Sequence, residues 1–143
     1  MQYGVSLKLA ATVAALTLAA CASPPSPNQP PPSAQGVYFV EPANGATVSS
    51  PFKVRFGIKG MDVKPAGEQV AGQGHHHLLI NLDSQAKGEI IPVDDTHIHF
   101  GKAQTETDVK LPPGSYKLTM QFADGYHLSY GKDMSASISV IVK

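Results

Sequence analysis

Apolar and polar residues alternate one for one along three stretches of the chain. Phe52, Val54, Phe56 and Ile58 are separated by Lys53, Arg55 and Gly57. Tyr116, Leu118, Met120 and Phe122 are separated by Lys117, Thr119 and Gln121, and Ile138, Val140 and Val142 alternate near the end. A period of two puts one face of a strand on a core and the other toward solvent. No stretch shows a convincing helical period. Turn signals punctuate the runs at Pro42-Ala43-Asn44-Gly45, Pro112-Pro113-Gly114 and Asp124-Gly125. The pattern predicts an all-β fold, an immunoglobulin-like antiparallel β-sandwich of about seven strands. Tyr116 opens a strand just after Pro112-Pro113-Gly114-Ser115, where a tyrosine corner would stand.

The first residues belong to a different kind of segment. A single lysine, Lys8, precedes the apolar run Leu9 to Ala20, which is too short to span a bilayer as a helix. This is the shape of a secretory signal. Its end, Leu18-Ala19-Ala20-Cys21, resembles the bacterial lipoprotein signal, which implies cleavage before Cys21 and lipidation of that cysteine. Cys21 is the chain's only cysteine, so no intramolecular disulfide can form. Residues 1–20 are therefore expected to be a lipoprotein signal peptide. Residues 21–36 hold six prolines among small polar residues and read as a lipidated cysteine with an extended proline-rich linker. Residues 37–143 are the expected folded domain. The resemblance also implies a membrane partner through the lipid anchor, at the periplasmic face of the outer membrane. Zero formal net charge gives no basic field for nucleic acid.

Five of the six histidines fall in two short runs, His75-His76-His77 and His97-Ile98-His99. On a strand, His76, Leu78 and Ile80 make the better core line, so His75 and His77 project together from the other face. Ile98 and Phe100 likewise leave His97 and His99 on one face. Each His-x-His offers two imidazoles about 7 Å apart at the backbone. Strands lying side by side would let these nitrogens converge on one ion, and a nitrogen set without thiolate suits copper, zinc or nickel. His127 follows the Asp124-Gly125 turn and can be delivered to the same place. His75, His77, His97, His99 and His127 are thus the candidate metal ligands. His76, Asp94, Glu106 and Asp124 are candidates for a supporting or structural role. The long stretch from Gly60 to Gly74, with four glycines and a proline, leads directly into the first run.

Two readings stay open at this point. One is a binding module whose histidines hold copper or zinc. The other is a structural or interaction domain whose histidines form an internal hydrogen-bond network. An enzyme is less favoured: no serine elbow, phosphate loop or dinucleotide loop is present.

The joint pattern of Gly60-Met61, Pro65-Ala66-Gly67, Gly74 to Ile80, His97 to Thr107, Leu111-Pro112-Pro113-Gly114, Gln121, Asp124 and His127 resembles the bacterial family known as domain of unknown function 4399. The resemblance implies a small exported β-domain and no established activity. Its matching polar positions here are His75, His76, His77, His97, His99, Gln104, Thr105, Glu106, Asp124 and His127. The family's second histidine beyond the His127 position is replaced in this chain by the stretch around Tyr130.

Overall fold

The computed structural model describes residues 36–143. The signal peptide, Cys21 and nearly all of the proline-rich linker lie outside the described residues. Nine strands follow in order: β1 (Gly36–Glu41), β2 (Ala46–Val48), β3 (Phe52–Lys59), β4 (Asp62–Val63), β5 (Gln73–Ile80), β6 (His97–His99), β7 (Glu106–Val109), β8 (Gly114–Ala123) and β9 (Ser135–Val142). The fold is all-β, with one short 3-10 turn at Lys132–Met134. Six of the nine are strands of four residues or more, and β2, β4 and β6 are short pairings of two or three residues.

The strands form two sheets. The smaller runs β1-β3-β7 and the larger β2-β9-β8-β5-β4, with β6 also paired to β5. All pairings are antiparallel except β2 with β9 and β4 with β5. The three alternating runs become β3, β8 and β9, and their apolar lines meet between the sheets. Phe52, Val54 and Phe56 face Leu78, Leu118, Met120, Phe122, Ile138, Val140 and Val142 in one core. Each such side chain contributes about 2 kcal/mol by leaving water, and truncating the fully buried Phe122 to alanine would cost about 3–5 kcal/mol. The Tyr116 hydroxyl donates to the Pro112 carbonyl at 2.9 Å, which pins the entry to β8.

One strand departs from the expected pattern. Alternation predicts solvent on the second face of β5, yet every residue from Gly74 to Ile80 is buried. The connection from Asn81 to Thr96 and the turn from Asp124 to Gly131 cover that face. The Thr119 hydroxyl donates to the Leu82 carbonyl at 2.8 Å, and the Gln121 side chain accepts from the Gln85 amide at 3.2 Å. The Ile91 amide donates to the His127 carbonyl at 2.9 Å, and the Ser129 amide to the Glu89 carbonyl at 2.8 Å. Ile91 and Leu79 are fully buried under this cover. The polar residues of β8 that face outward, Thr119 and Gln121, are therefore anchors for a third layer of chain.

Candidate metal centre

Strand parity places His75 and His77 on the covered face of β5, beside Ala123 and Gln121 of β8. On the other edge of β5, the short β6 sets His99 directly opposite His77. His127 arrives from the turn after β8. The four rings pack against one another in every combination, with centroids between 4.6 Å (His99 to His127) and 5.4 Å (His77 to His127). Ring nitrogens of His75, His77 and His99 all lie within 4.8 Å of one another. His75 and His77 are fully buried, whereas His99 and His127 are half-buried and mark the side nearest solvent.

The hydrogen-bond inventory of this cluster is short. His75 Nε2 and His77 Nε2 meet at 3.0 Å. His75 Nδ1, His77 Nδ1 and His99 Nε2 are buried without a partner. An unpartnered buried polar atom costs about 1–3 kcal/mol, and native proteins carry few. Of these, His99 Nε2 is free to bind an ion beside the His75–His77 Nε2 pair; the two Nδ1 atoms are not the nitrogens that meet. Two imidazoles bound to one ion at about 2.0–2.1 Å have nitrogens no more than about 4 Å apart. The 3.0 Å pair already meets that limit, and the ring nitrogens of all three residues lie within 4.8 Å of one another.

Burial holds these rings neutral. It lowers His75 to about 4, helped by the like charge of His99 and His127 and opposed by Asp124. It lowers His77 further, to about 2, again with its histidine neighbours adding to the effect. His99 moves in the same direction for the same reason, with His127 contributing. Neutral imidazole is the metal-binding form, so the free site is held ready rather than protonated.

The turn that carries His127 is built around Asp124. This carboxylate is nearly fully buried. Its Oδ1 accepts the amides of Tyr126 and Leu128, both at 2.9 Å, and its Oδ2 accepts Gln69 Nε2 at 2.6 Å. The turn leaves His127 at φ 68°, a left-handed conformation that few non-glycine residues adopt. Gln69 belongs to the long segment before β5, which also donates Ala66 N–H to the Gly101 carbonyl and Gly67 N–H to the Gly125 carbonyl, both at 3.0 Å. That segment is thus fastened over the rim of the histidine cluster. Gly101 is needed there, because a Cβ at this position would overlap the His99 ring.

The remaining sequence candidates lie elsewhere. His97 stands apart from the four rings: its Nδ1 bonds Asp94 at 2.8 Å and its Nε2 is 3.3 Å from the Gln85 side-chain Nε2. A tight turn causes this, since Asp94 and His97 pair across it and Asp94 Oδ1 also accepts the His97 amide. The His97 and Thr96 donors hold the Asp94 carboxyl well below the usual range. Glu106 sits on the outer face of the small sheet, paired with Lys53 at 3.6 Å and Arg55 at 3.5 Å. His76 points into the core between Phe56 and Phe122, at centroid distances of 4.8 and 4.9 Å, with neither nitrogen partnered. The Tyr130 hydroxyl donates to the Gln73 carbonyl at 2.7 Å and does not join the cluster. Sequence alone does not mark Gln69 and Gly101 as site residues. Both lie in loops without periodicity, and only their contacts reveal them.

Comparison with known proteins adds a family. No curated protein matches the chain. Among solved structures, the endo-beta-1,4-mannanase from Thermotoga petrophila aligns at 14% identity with a TM-score of 0.44, over 76% of this chain and 20% of that one. A likeness at that score carries no argument about this chain. Residues 54–143 match the family described as domain of unknown function, DUF4399. That stretch runs from within β3 through the end of β9, and it holds every histidine of the cluster. The chain belongs to the DUF4399 family.

Proposed function

We propose that this protein is a transition-metal-binding module of the cell envelope, with His75, His77 and His99 as the ligands of copper or zinc. The observation that carries the reading is the convergence of ring nitrogens from the buried His75 and His77 and the half-buried His99 within 4.8 Å of one another, with His99 Nε2 lacking any partner. A donor set of neutral nitrogens, without thiolate, suits copper(II) and zinc. The competing reading, an internal hydrogen-bond network, asks the same rings to satisfy one another or nearby carbonyls. A single contact, His75 to His77, is of that kind. His97, with Asp94 and Gln85, is the histidine that behaves as a network member.

The envelope placement rests on sequence: the apolar run ending in Leu18-Ala19-Ala20-Cys21 and the proline-rich stretch after it. In this reading Cys21 is lipidated, the linker spaces the domain from the bilayer, and the site samples metal outside the cytoplasm.

Calorimetric titration of the soluble domain with copper(II) and zinc tests the binding claim. A Kd below about 10 μM, or about 7 kcal/mol, is expected for one of the two, with loss of at least tenfold in His99→Ala. Equal binding by that variant removes the assignment. Palmitate labelling and membrane fractionation of the full chain and of Cys21→Ala test the anchor; unlabelled wild type removes it.

A further inference from the structure

The three nitrogens that converge are all neutral donors. Among the described residues, no carboxylate joins them. A divalent ion placed there would keep its full charge in a site where His75 and His77 are completely buried. Uncompensated buried charge is unfavourable, so such a site gains from an anion close to the ion. Asp124 is the near candidate, since it acts electrostatically on His75. Its oxygens are already committed, Oδ1 to the Tyr126 and Leu128 amides and Oδ2 to Gln69. It also supplies one charge against two.

The solvent side of the cluster offers a place for a second anion. His127 lies over the triad, its centroid 4.6 Å from His99 and 5.1 Å from His75, but its nitrogens are not among the three that converge. It is half-buried, in contrast to the two rings beneath it. The Asp124 turn holds its backbone at φ 68° and fixes the direction from which the ring approaches. A ring so placed can donate an N–H to something bound on the ion's outward face.

Resting on the metal reading above, we infer that the loaded triad takes a small monoanion at an exchangeable position on its outward side, with His127 as the hydrogen-bond donor to that anion and not as a metal ligand. Three fixed protein ligands with one exchangeable position is the arrangement that leaves an ion reactive toward small molecules. The ligand class is a small monoanion such as hydroxide or azide, since the ion would lie against the completely buried His75 and His77, with the His127 ring packed against all three ligand rings.

Azide is the probe. The protein is loaded with cobalt(II) or copper(II) and titrated with sodium azide, followed by visible absorption and, for copper, electron paramagnetic resonance. A saturable spectral change is expected, with azide affinity at least tenfold weaker in His127→Ala and largely recovered in His127→Gln, which keeps an N–H donor. Failure of the wild type to take up metal overturns the metal reading and this inference with it. Metal uptake without any azide response overturns the inference alone. So does a His127→Ala protein that is folded by circular dichroism yet cannot be loaded, because His127 would then be a ligand.

Discussion

His75 and His77 meet Nε2 to Nε2 at 3.0 Å in the interior, and the other nitrogen of each ring has no partner. One ring must donate and the other accept, so at least one Nδ1–H is left pointing at nothing that can receive it. The pair is therefore a cost to the free protein.

Replacing both members tests that cost. In the double variant His75→Leu, His77→Leu the metal-free protein is expected to be as stable as wild type, or up to about 2 kcal/mol more stable, because both partners and their orphaned Nδ1 atoms are replaced by apolar side chains of similar bulk. Its metal-induced rise in melting temperature should vanish. A metal-free protein destabilised by more than about 2 kcal/mol would mean that the pair supports the fold.

Metal itself should stabilise the wild type by mass action. At a free concentration 100 times Kd the gain is about 2.7 kcal/mol, read as a rise in melting temperature that a chelator reverses. A melting temperature indifferent to metal and chelator, at concentrations where calorimetry detects binding, would place the ion somewhere other than the folded cluster.

His76 makes a separate prediction. It lies between Phe56 and Phe122 with both nitrogens unpartnered, and burial lowers it to about 4. His76→Leu should raise stability by about 1–2 kcal/mol in urea unfolding and leave metal affinity unchanged. Loss of stability instead would reveal a buried partner, such as a water, for this ring.

Acid should unfold the metal-free domain through these same groups. Their folded values, about 4 for His75 and His76 and about 2 for His77, are depressed below the ordinary 6.5. The unfolded chain then binds more protons than the folded one at pH values below 6.5, so stability is full above that value and falls as pH drops toward 4. His76 alone removes on the order of 3 kcal/mol by pH 4. Urea midpoints measured at pH 7.5, 6 and 5 should decline in that order, and His76→Leu should flatten the decline. A stability that rises on acidification would contradict the burial of these rings.

Gly101→Ala probes the rim. The added methyl group would displace the His99 ring, so metal affinity should fall at least tenfold while far-ultraviolet circular dichroism stays native, at a cost of about 1–3 kcal/mol. Unchanged affinity would show that His99 is free to move aside or is not a ligand.

Much of this arrangement is legible in the residues. Alternation in Phe52 to Ile58 and Tyr116 to Phe122 specifies β3, β8 and the face each buries, because a one-residue slip would turn the whole apolar line outward. The same parity separates His75 and His77 from His76. Parity fails at His97 because β6 is three residues long and emerges from a turn whose Asp94 captures the ring. A side chain so close to a turn answers to local hydrogen bonds before it answers to the sheet. The burial of the second face of β5 is invisible for another reason. Its cover runs from Asn81 to Thr96 without periodicity, and its attachments, Gln121 to Gln85 and Thr119 to Leu82, join residues far apart in the chain.

β5 is packed on both faces and paired along both edges, to β8 on one side and to β4 and β6 on the other. Its amide protons should therefore exchange with solvent only when the whole domain unfolds, while those of the segments around Gln69 and Tyr126 exchange through local openings. The deepest ligands sit on the slowest part of the molecule and their cover on a faster one. An ion could come and go at the pace of the loops without the sheet ever being disturbed.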